Sequence, residues 1–286
     1  MAFKKESIEA LRLIFDGEVE LEVNRAQVGV EGVDGVKHII FVGSGKGGVG
    51  KSTVSVNLAI ALEKLGFSVG LMDADIYGPS IPTMMGKFES PEVLPGEQLL
   101  PLQRHGVSFI SAGSLIPPGK ALDWRGQLVS GTLVQFIKQT CWGELDFLIV
   151  DLPPGTGDAQ LTLASKLRTA GVVLVTTPQE VALGDVRRAL DLFHKQEVPV
   201  LGIVENMAWH LCESCGHQNH PFVTSQEATL DIEVLARLPL LREISQGADN
   251  GVPVILENPE SEASIAFIAM ARRLVEITEA FQVKVA

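Results

Sequence analysis

The glycine-rich run at residues 45–52 constrains the possible fold more than any other feature of this sequence. It reads Gly-Lys-Gly-Gly-Val-Gly-Lys-Ser, follows the apolar run at residues 38–42 and precedes a long helical pattern. Glycines allow successive backbone N–H groups to face one anion at the start of a helix. Lys51 can then reach the β- and γ-phosphates of a nucleotide, and the Ser52 hydroxyl can bind Mg²⁺. A turn without a ligand needs no Lys-Ser pair, so the spacing predicts a phosphate-binding loop.

A second lysine, Lys46, follows the first glycine of this loop. Two lysines five residues apart in one tight loop do not suit the same phosphate group, so we expect Lys46 to point elsewhere. The pattern K-G-G-x-G-K-S at residues 46–52 resembles the deviant Walker A class of ATPases. This resemblance implies that Lys46 reaches across a dimer interface to the partner's nucleotide, and that ATP brings two subunits together face to face.

The composition narrows the classes of partner and the compartment. The 286 residues carry a formal net charge of −12, which argues against binding of nucleic acid and against docking on an anionic membrane. The apolar runs are strand-sized and interrupted by charges, so no transmembrane span is expected. Three cysteines, one of them far from the other two, and the lack of a signal peptide favour a reducing compartment. The cytoplasm is therefore the expected location.

Strand and helix patterns alternate from residue 36 onwards. Apolar strand patterns lie at residues 36–42, 68–72, 107–112, 147–150, 171–176, 198–204 and 235–238, and helical patterns at residues 52–65, 127–139, 158–167, 181–196 and 261–281. Strands that are apolar throughout and alternate with helices predict a parallel sheet with helices on both faces. We expect a three-layer, doubly wound α/β domain of the P-loop NTPase type at residues 36–286. Residues 1–35 are expected to form an N-terminal extension of unknown role.

Three aspartates follow the predicted strands at their carboxyl ends. Asp73 and Asp75 come after the second strand, and Asp151 follows the strand at residues 147–150. Ligands of open α/β sheets bind beyond the carboxyl ends of the strands, which is where the phosphate loop also lies. Asp151 suits the Walker B role of holding the water shell of Mg²⁺. One of the other two aspartates can help to hold Mg²⁺ waters, while the other orients and deprotonates the attacking water. The competing interpretation is that these residues are solvated caps on strand ends.

Two further positions are candidates for contacts with the nucleotide. The run Pro-Pro-Gly-Thr-Gly at residues 153–157 is stiff at its start and free at its end. Gly155 can therefore place its backbone N–H on the γ-phosphate and withdraw when that phosphate leaves. A plain Pro-Gly turn would explain the glycines but not the neighbouring Asp151. Asn206 lies just past a strand end, where its carboxamide can pair with the adenine edge or serve as an ordinary loop asparagine.

A C-x-x-C motif at residues 212–215 is the second decisive feature. The spacing brings two thiolates within reach of one metal, but two cysteines are only half of a four-ligand site. The other half can come from the same chain as His210, His217 or His220, which gives a structural zinc site. It can also come from a second subunit, which gives a cluster or metal that bridges a dimer. A redox motif of the thioredoxin kind is disfavoured because this one does not open a helix after a first strand. Cys141 is expected to be a buried core thiol.

Together these motifs resemble the Mrp/ApbC branch of the deviant Walker A ATPases, the iron–sulfur cluster carrier proteins. The matching stretches span about residues 38–280 and comprise residues 43–53, Asp-Ala-Asp-Ile-Tyr-Gly-Pro-Ser at residues 73–80, Trp124-Arg125-Gly126, residues 142–162, Glu205-Asn206-Met207, and Cys212 with Cys215 and Gly216.

The resemblance implies a homodimer that binds ATP and Mg²⁺ and hydrolyses ATP slowly. It implies that Cys212 and Cys215 of both subunits hold a 4Fe–4S cluster, received from a cluster donor and delivered to apo-proteins. It also implies that Asp75, the second acid of the D-x-D motif, activates the water, with Lys46 and Lys51 as the other catalytic residues. The predicted nucleotide-binding set is Gly45, Lys46, Gly47, Gly48, Val49, Gly50, Lys51, Ser52, Thr53, Asp73, Asp151, Gly155 and Asn206.

Two rival functions remain open at the level of sequence. A spatial-organising switch of the MinD or ParA kind would bind a membrane through a basic amphipathic tail or DNA through a basic face. The tail at residues 261–286 mixes Arg272 and Arg273 with three glutamates, and the net charge of −12 makes a basic face a poor expectation. The other rival is an ATP-dependent dimer switch in which the two cysteines form a structural zinc site.

Overall fold

A computed structural model describes residues 31–115, 126–212, 214–222 and 232–285. Residues 1–30 of the expected N-terminal extension lie outside the described residues. The same holds for Trp124 and Arg125 of the family-like stretches and for Glu213 within the C-x-x-C motif. The assignment of residues 1–35 as a separate extension stays a prediction.

The described chain alternates strands and helices from residue 36 onwards. The strands are β1 (Val36–Ser44), β2 (Val69–Asp73), β3 (Glu92–Leu94), β4 (Gln98–Leu100), β5 (Leu102–Arg104), β6 (Val107–Ser111), β7 (Leu145–Asp151), β8 (Gly171–Thr176), β9 (Val200–Glu205), β10 (His210–Leu211), β11 (Gln218–Asn219) and β12 (Val234–Arg237). The helices are α1 (Lys51–Lys64), α2 (Ile81–Met84), α3 (Gly126–Gln139), α4 (Asp158–Lys166), α5 (Glu180–Lys195), α6 (Arg242–Asn250), α7 (Val254–Glu257) and α8 (Glu262–Val285). Every predicted strand and helix is present within a few residues of its expected bounds.

Eight of the strands form one sheet in the order β12-β9-β8-β1-β7-β2-β6-β5. All neighbours in this sheet run parallel except β5, which pairs antiparallel with β6 at one edge. The central strand β1 lies between β7 and β8, so the loop after β1 opens in the middle of the carboxyl edge. In the pairing of β2 with β7, Asp73 lies opposite Asp151. The register therefore brings two of the predicted carboxylates side by side.

The two faces of the sheet bury two separate apolar cores. Strand β1 shows this division, because Ile39 and Phe41 enter one core while Ile40 and Val42 enter the other. Helices α3, α4 and α5 cover the first core, and α1 and α8 cover the second together with the short helices α2 and α7. Apolar side chains alternate between faces because successive residues of a strand point in opposite directions. The predicted three-layer, doubly wound fold is confirmed.

Helix α1 presents the residues that follow the glycine-rich loop, and its far end is closed by a tight backbone motif. The N–H of Gly66 donates to Glu63 O, and the N–H of Phe67 donates to Leu62 O. Gly66 has a φ of +94°, the left-handed conformation that this kind of helix end requires. The last turn of α1 is thereby closed by hydrogen bonds of its own backbone. Among the helices that the structure describes, none is long and apolar enough to cross a membrane.

Candidate functional site

The glycine-rich loop joins β1 to α1 and borders a cavity of about 230 Å³ at the carboxyl edge of the sheet. The cavity is lined by the loop itself, by the start of α1 and by two neighbouring loops, with Gly48, Ser52, Asp75, Ser80 and Pro154 among the lining residues. Gly48 and Gly50 have φ angles of +78° and +84°, which favour glycine. This backbone conformation at the N-terminus of α1 suits an anion such as a phosphate group.

Two glycines of the loop lie against neighbouring elements with no room for a side chain. A Cβ added to Gly45 would lie 2.5 Å from the backbone carbonyl carbon of Asp185 in α5. A Cβ added to Gly50 would lie 2.1 Å from Nδ2 of Asn206. The loop is therefore held between α5 on one side and the segment after β9 on the other.

Lys51 lies buried among carboxylates at the start of α1. Its side chain is 6% exposed, and its Nζ lies 2.7 Å from Oδ2 of Asp151 and 3.8 Å from Oδ2 of Asp75. The hydroxyl of Ser52 donates to the same Oδ2 of Asp151 at 2.6 Å, and the hydroxyl of Ser55 donates to Oδ1 at 2.6 Å. Three donors thus hold the buried carboxylate of Asp151 in one orientation.

Asp73 and Asp75 lie beside this ion pair, and each accepts hydrogen bonds from neighbouring segments. Asp73 is fully buried and accepts from the Ser111 hydroxyl at 3.0 Å, and Asp75 accepts from the N–H of Gly78 at 3.2 Å. Burial, and then the negative charge of Asp151, raise the pKa of Asp73 to about 7. Burial also raises the pKa of Asp75 above its ordinary value, against the opposing effect of Lys51. One buried lysine thus faces three buried carboxylates.

The donor set at this position fits Mg²⁺. Hard divalent cations prefer carboxylate and hydroxyl oxygens. Ser52 lines the cavity, and its hydroxyl oxygen lies 2.6 Å from a carboxylate oxygen of Asp151. The excess of negative charge over the charge of Lys51 favours a cation as well.

Lys46 does not join this cluster in the structure. Its Nζ donates to Oε1 of Gln179 at 3.2 Å, at the start of α5. Next to this contact Val181 is 74% exposed, which makes it one of the most exposed large apolar side chains among the described residues. The two lysines of the loop thus occupy different surroundings, and the predicted role of Lys46 at a dimer interface stays a prediction.

The loop after β7 closes the cavity from another side. Pro154 lines the cavity, and the N–H of Gly155 donates to Ser44 O at 3.0 Å. Gly155 has a φ of +91°, a backbone conformation that favours glycine at this position of the loop. The predicted phosphate donor therefore has a partner within the chain, at the residue that ends β1.

Asn206 contacts the phosphate loop directly. Its Nδ2 donates to Val49 O at 2.8 Å, and its backbone N–H donates to Thr176 O at 2.7 Å. A second cavity of about 370 Å³ lies beside it, lined by Gly50, Thr53, Asn206, Met207, Leu240 and Leu241 among others. Gly50 and Thr53 line both cavities. The walls of the second cavity are largely apolar.

Cys212 and Cys215 lie between the two strands of a small antiparallel hairpin. His210 and Leu211 of β10 pair with Asn219 and Gln218 of β11. The N–H of Cys212 donates to His217 O at 2.9 Å, and the N–H of Gly216 donates to Cys212 O at 2.8 Å. Both cysteines are free thiols, and Cys215 is exposed.

Local N–H groups stabilise the thiolate form of Cys212. Hydrogen bonds from the backbone N–H groups of Ser214 and Cys215, together with the Cys215 thiol, hold the pKa of Cys212 below its usual range. Among the described residues, no group of three or more His, Cys, Asp or Glu side chains comes together in a way that could hold a metal ion. Two cysteines of one chain are therefore brought together, and within the part of the chain that is described no third ligand joins them.

Three residues at the site were not predicted from the sequence. Ser55 holds Asp151, Ser111 holds Asp73, and Gln179 holds Lys46. Ser55 lies three residues after Ser52 on the same face of α1, a spacing that could have marked it. The sequence contains no comparable signal for Ser111 or Gln179.

Comparison with known proteins gives matches over nearly the whole described domain. A family model described as NUBPL iron-transfer P-loop NTPase matches residues 35–275. The iron-sulfur cluster carrier protein of Pseudomonas fragi is 46% identical over 254 residues, covering 87% of this chain and 88% of that protein. The iron-sulfur cluster carrier protein of Escherichia coli K12 is 46% identical over 248 residues, covering 85% of this chain and 67% of that protein.

Solved structures show the same architecture. A nucleotide-binding protein from Archaeoglobus fulgidus in complex with ADP is 37% identical with a TM-score of 0.69, covering 82% of this chain and 93% of that chain. The cell division ATPase MinD of Pyrococcus furiosus is 25% identical with a TM-score of 0.64, covering 84% of this chain and 99% of that chain. The two similarities together agree with the fold inferred from the order of strands and helices.

Proposed function

The chain belongs to the family of NUBPL iron-transfer P-loop NTPases, and on that premise we propose that it is an ATP-hydrolysing carrier of a 4Fe–4S cluster. Two copies of the chain hold the cluster between them and transfer it from a donor to apo-proteins. The observation that supports this proposal most is the hairpin at residues 210–219, which presents two free thiols and no further ligand among the described residues. A site with four thiolates then requires a second copy of the chain.

The nucleotide site binds ATP through groups that the structure already brings together. Lys51 exchanges its contact with Asp151 for the β- and γ-phosphates, and the loop N–H groups surround the same anion. Ser52 and Asp151 would hold Mg²⁺, directly and through its waters respectively. When bound, Mg²⁺ neutralises charge that develops on the phosphate oxygens.

Asp75 is the base in the proposed hydrolysis. A water attacks the γ-phosphorus, the bond from that phosphorus to the β–γ bridging oxygen breaks, and Asp75 accepts the proton of the water. Burial raises the pKa of Asp75 above its usual range, and a higher pKa makes a carboxylate a stronger proton acceptor. Lys51 lies 3.8 Å from Asp75 and opposes this rise, because a nearby positive charge favours the ionised carboxylate.

Adenine occupies the second cavity in this proposal. The bond from Nδ2 of Asn206 to Val49 O orients the carboxamide, so Oδ1 is the atom available to accept from the adenine amino group. Guanine presents a carbonyl oxygen at that position and would place two acceptors together. This orientation supports a preference for ATP over GTP.

A second copy of the chain completes both sites. Lys46 leaves Gln179 and reaches the nucleotide of the partner subunit, and the exposed Val181 beside it provides apolar surface for the contact. ATP binding thus favours the dimer, and the dimer places two cysteine hairpins in one assembly. The three free thiols suit a cytoplasmic carrier, because glutathione and thioredoxin keep such thiols reduced.

Cluster content after reconstitution tests the carrier function. The protein is purified anaerobically and incubated with ferrous iron and sulfide, and iron, sulfide and zinc are then counted per dimer. We expect about four iron and four sulfide per dimer, with thiolate charge-transfer absorbance. Cys212→Ser and Cys215→Ser lose the cluster, and Cys141→Ser retains it because Cys141 lies outside the hairpin. Transfer is followed as activation of an apo-protein that needs a 4Fe–4S cluster.

The opposite result identifies the rival function. One tightly bound zinc per monomer and no bound iron, with the same metal content in the monomer and the dimer, would refute the carrier proposal. The chain would then be an ATP-dependent dimer switch of the MinD kind with a structural zinc site. ATP hydrolysis is measured in parallel, and Lys51→Ala is expected to abolish it under either outcome, because both functions use the same phosphate loop.

A further inference from the structure

Gln160 is a buried polar residue that the proposed chemistry does not use. It lies in the first turn of α4, directly after the loop at residues 153–157, and it is 1% exposed. Its Nε2 donates to Pro153 O at 2.5 Å. Its Oε1 is buried and has no hydrogen-bond partner among the described residues. A buried carboxamide oxygen without a partner costs free energy, so a second arrangement that satisfies it would be favoured.

The position of Gln160 in its helix indicates which N–H group would satisfy this oxygen. Gly157 is the N-cap residue of α4, and Gln160 is the third residue of the helix. In a capping box, a glutamine at this third position accepts from the backbone N–H of the N-cap residue. Residues 153 and 154 are prolines without N–H groups, so the donors of this loop begin at Gly155. The N–H of Gly157 is therefore the natural partner for Oε1 of Gln160.

The same loop contains the predicted donor to the γ-phosphate. In the structure the N–H of Gly155 donates to Ser44 O at 3.0 Å, and both Ser44 and Pro154 line the phosphate cavity. A donor with one hydrogen cannot serve Ser44 and a phosphate fully at once. The γ-phosphate therefore recruits Gly155 only if the loop beyond Pro154 turns.

We propose that Gln160 is the positioning residue for this turn of the loop. Its Nε2 holds Pro153 in place, while residues 155–157 turn towards the γ-phosphate and bring the N–H of Gly157 to Oε1. The capping-box bond forms only in the arrangement that binds a triphosphate, so it favours ATP over ADP. This inference rests on the proposed ATPase function and adds to it the residue that makes the loop respond to the third phosphate.

Nucleotide affinities of a matched pair of variants test the proposal. Gln160→Met keeps the size of the side chain and removes both polar atoms. Because a buried hydrogen bond is lost in one arrangement only, we expect the affinity for Mg²⁺ and AMP-PNP to fall about five- to tenfold. The affinity for ADP should change less than about twofold, and kcat for ATP should fall more than KM rises.

Gln139→Met provides the control for the loss of a buried amide. Oε1 of Gln139 is also buried without a partner among the described residues. Gln139 ends α3 shortly before β7 begins, at the edge of the sheet opposite to the nucleotide site. This variant should leave both nucleotide affinities unchanged. Equal losses for AMP-PNP and ADP in Gln160→Met, or no loss for either, would overturn the proposal.

Hydrogen exchange on the wild-type chain tests the loop movement without any substitution. Amides of residues 155–157 should exchange differently with AMP-PNP than with ADP, whereas those of β7 and the rest of α4 should not. Identical exchange in the two states would also overturn the proposal. If the wild-type chain fails to hydrolyse ATP, the proposed function itself fails. If it hydrolyses ATP while Gln160→Met discriminates nucleotides as the wild type does, only the role of Gln160 is refuted.

Discussion

Replacing Gly45 with alanine should loosen the phosphate loop from α5. The added Cβ would lie 2.5 Å from the backbone carbonyl carbon of Asp185 and 2.6 Å from its backbone oxygen. Carbon atoms in ordinary contact lie about 3.5–4.0 Å apart, so the loop and the helix must separate by about 1 Å. The clash involves backbone on both sides, and Val186, the next residue of α5, is buried in the core, so neither partner can move at low cost.

The expected loss of stability follows from the cost of overpacking. Inserting a methyl group into a packed contact costs about 1–3 kcal/mol. Gly45→Ala should therefore lower the free energy of unfolding by about 2 kcal/mol and the urea midpoint by about 1 M, at a slope of about 2 kcal/mol/M. A shift of about 1 Å in the phosphate donors should also lower ATP turnover about a hundredfold.

Gly47→Ala is the matched control within the same loop. A Cβ at Gly47 meets no heavy atom within 4 Å, and Gly47 is not among the glycines with a positive φ. This variant should keep the urea midpoint of the wild type or raise it slightly, because alanine lowers the entropy of the unfolded chain. Equal midpoints for Gly45→Ala and Gly47→Ala would show that the contact with Asp185 does not constrain the loop.

Three further predictions follow from other contacts. Ser55→Ala removes a donor to Oδ1 of Asp151 and should lower the free energy of unfolding by about 1–3 kcal/mol, measured by urea denaturation; an unchanged midpoint would contradict this. The hydrogen bond from Lys37 lowers the pKa of Asp146 to about 2, so its carboxylate stabilises the fold above the unfolded-state pKa and loses this effect as the pH falls towards 2. Asp146→Asn should thus lower the free energy of unfolding by about 1 kcal/mol at pH 7, which is less than the full pKa shift implies because the pair is partly exposed. This loss of stability, measured by urea denaturation, should shrink between pH 4 and pH 2; a loss that does not depend on pH would contradict the prediction. Lys46→Met should bind ATP within about threefold of the wild type but fail to dimerise with ATP in light scattering, since Lys46 contacts Gln179 and not the buried carboxylates; ATP-dependent dimers of the variant would contradict the cross-subunit role.

The sequence sufficed for the central part of the fold because its pattern is strong there. Strands such as β1 and β8 are long and apolar, and each is followed by a helix, which leaves only a parallel sheet with two covered faces. Parallel strands place their carboxyl ends at one edge, so the convergence of Asp73 and Asp151 followed from their positions after two strands. The resemblance of the motifs to those of P-loop ATPases predicts the same fold.

The short elements were not predictable to the same degree. Strands β3, β4 and β5 have three residues each, and β10 and β11 have two. Alternation over two or three residues does not distinguish a strand from a loop. These strands exist because each pairs with a neighbour across a turn or along the edge of the sheet.

Contacts between segments that are distant in the chain could not be predicted from the sequence either. Lys46 pairs with a residue 133 positions away, and Asn206 contacts a carbonyl 157 positions away. Local spacing predicts that Lys46 leaves the phosphate cluster, but it cannot name Gln179 as its partner. Such contacts depend on how helices and loops pack on the sheet, which only the assembled fold determines.

Three of the groups proposed to bind the triphosphates of the dimer have partners within the single chain. Lys51 pairs with Asp151, the N–H of Gly155 with Ser44, and Lys46 with Gln179. In the proposed function, ATP binding exchanges these internal contacts for contacts with phosphate, and its net free energy is the difference between the two sets. A group that moves to the nucleotide would also release the element that it held, so the three proposed exchanges would link α1, the loop after β7 and α5 to the state of the nucleotide. ADP lacks the γ-phosphate and would replace fewer of these contacts, so in this proposal the third phosphate is the source of the conformational response.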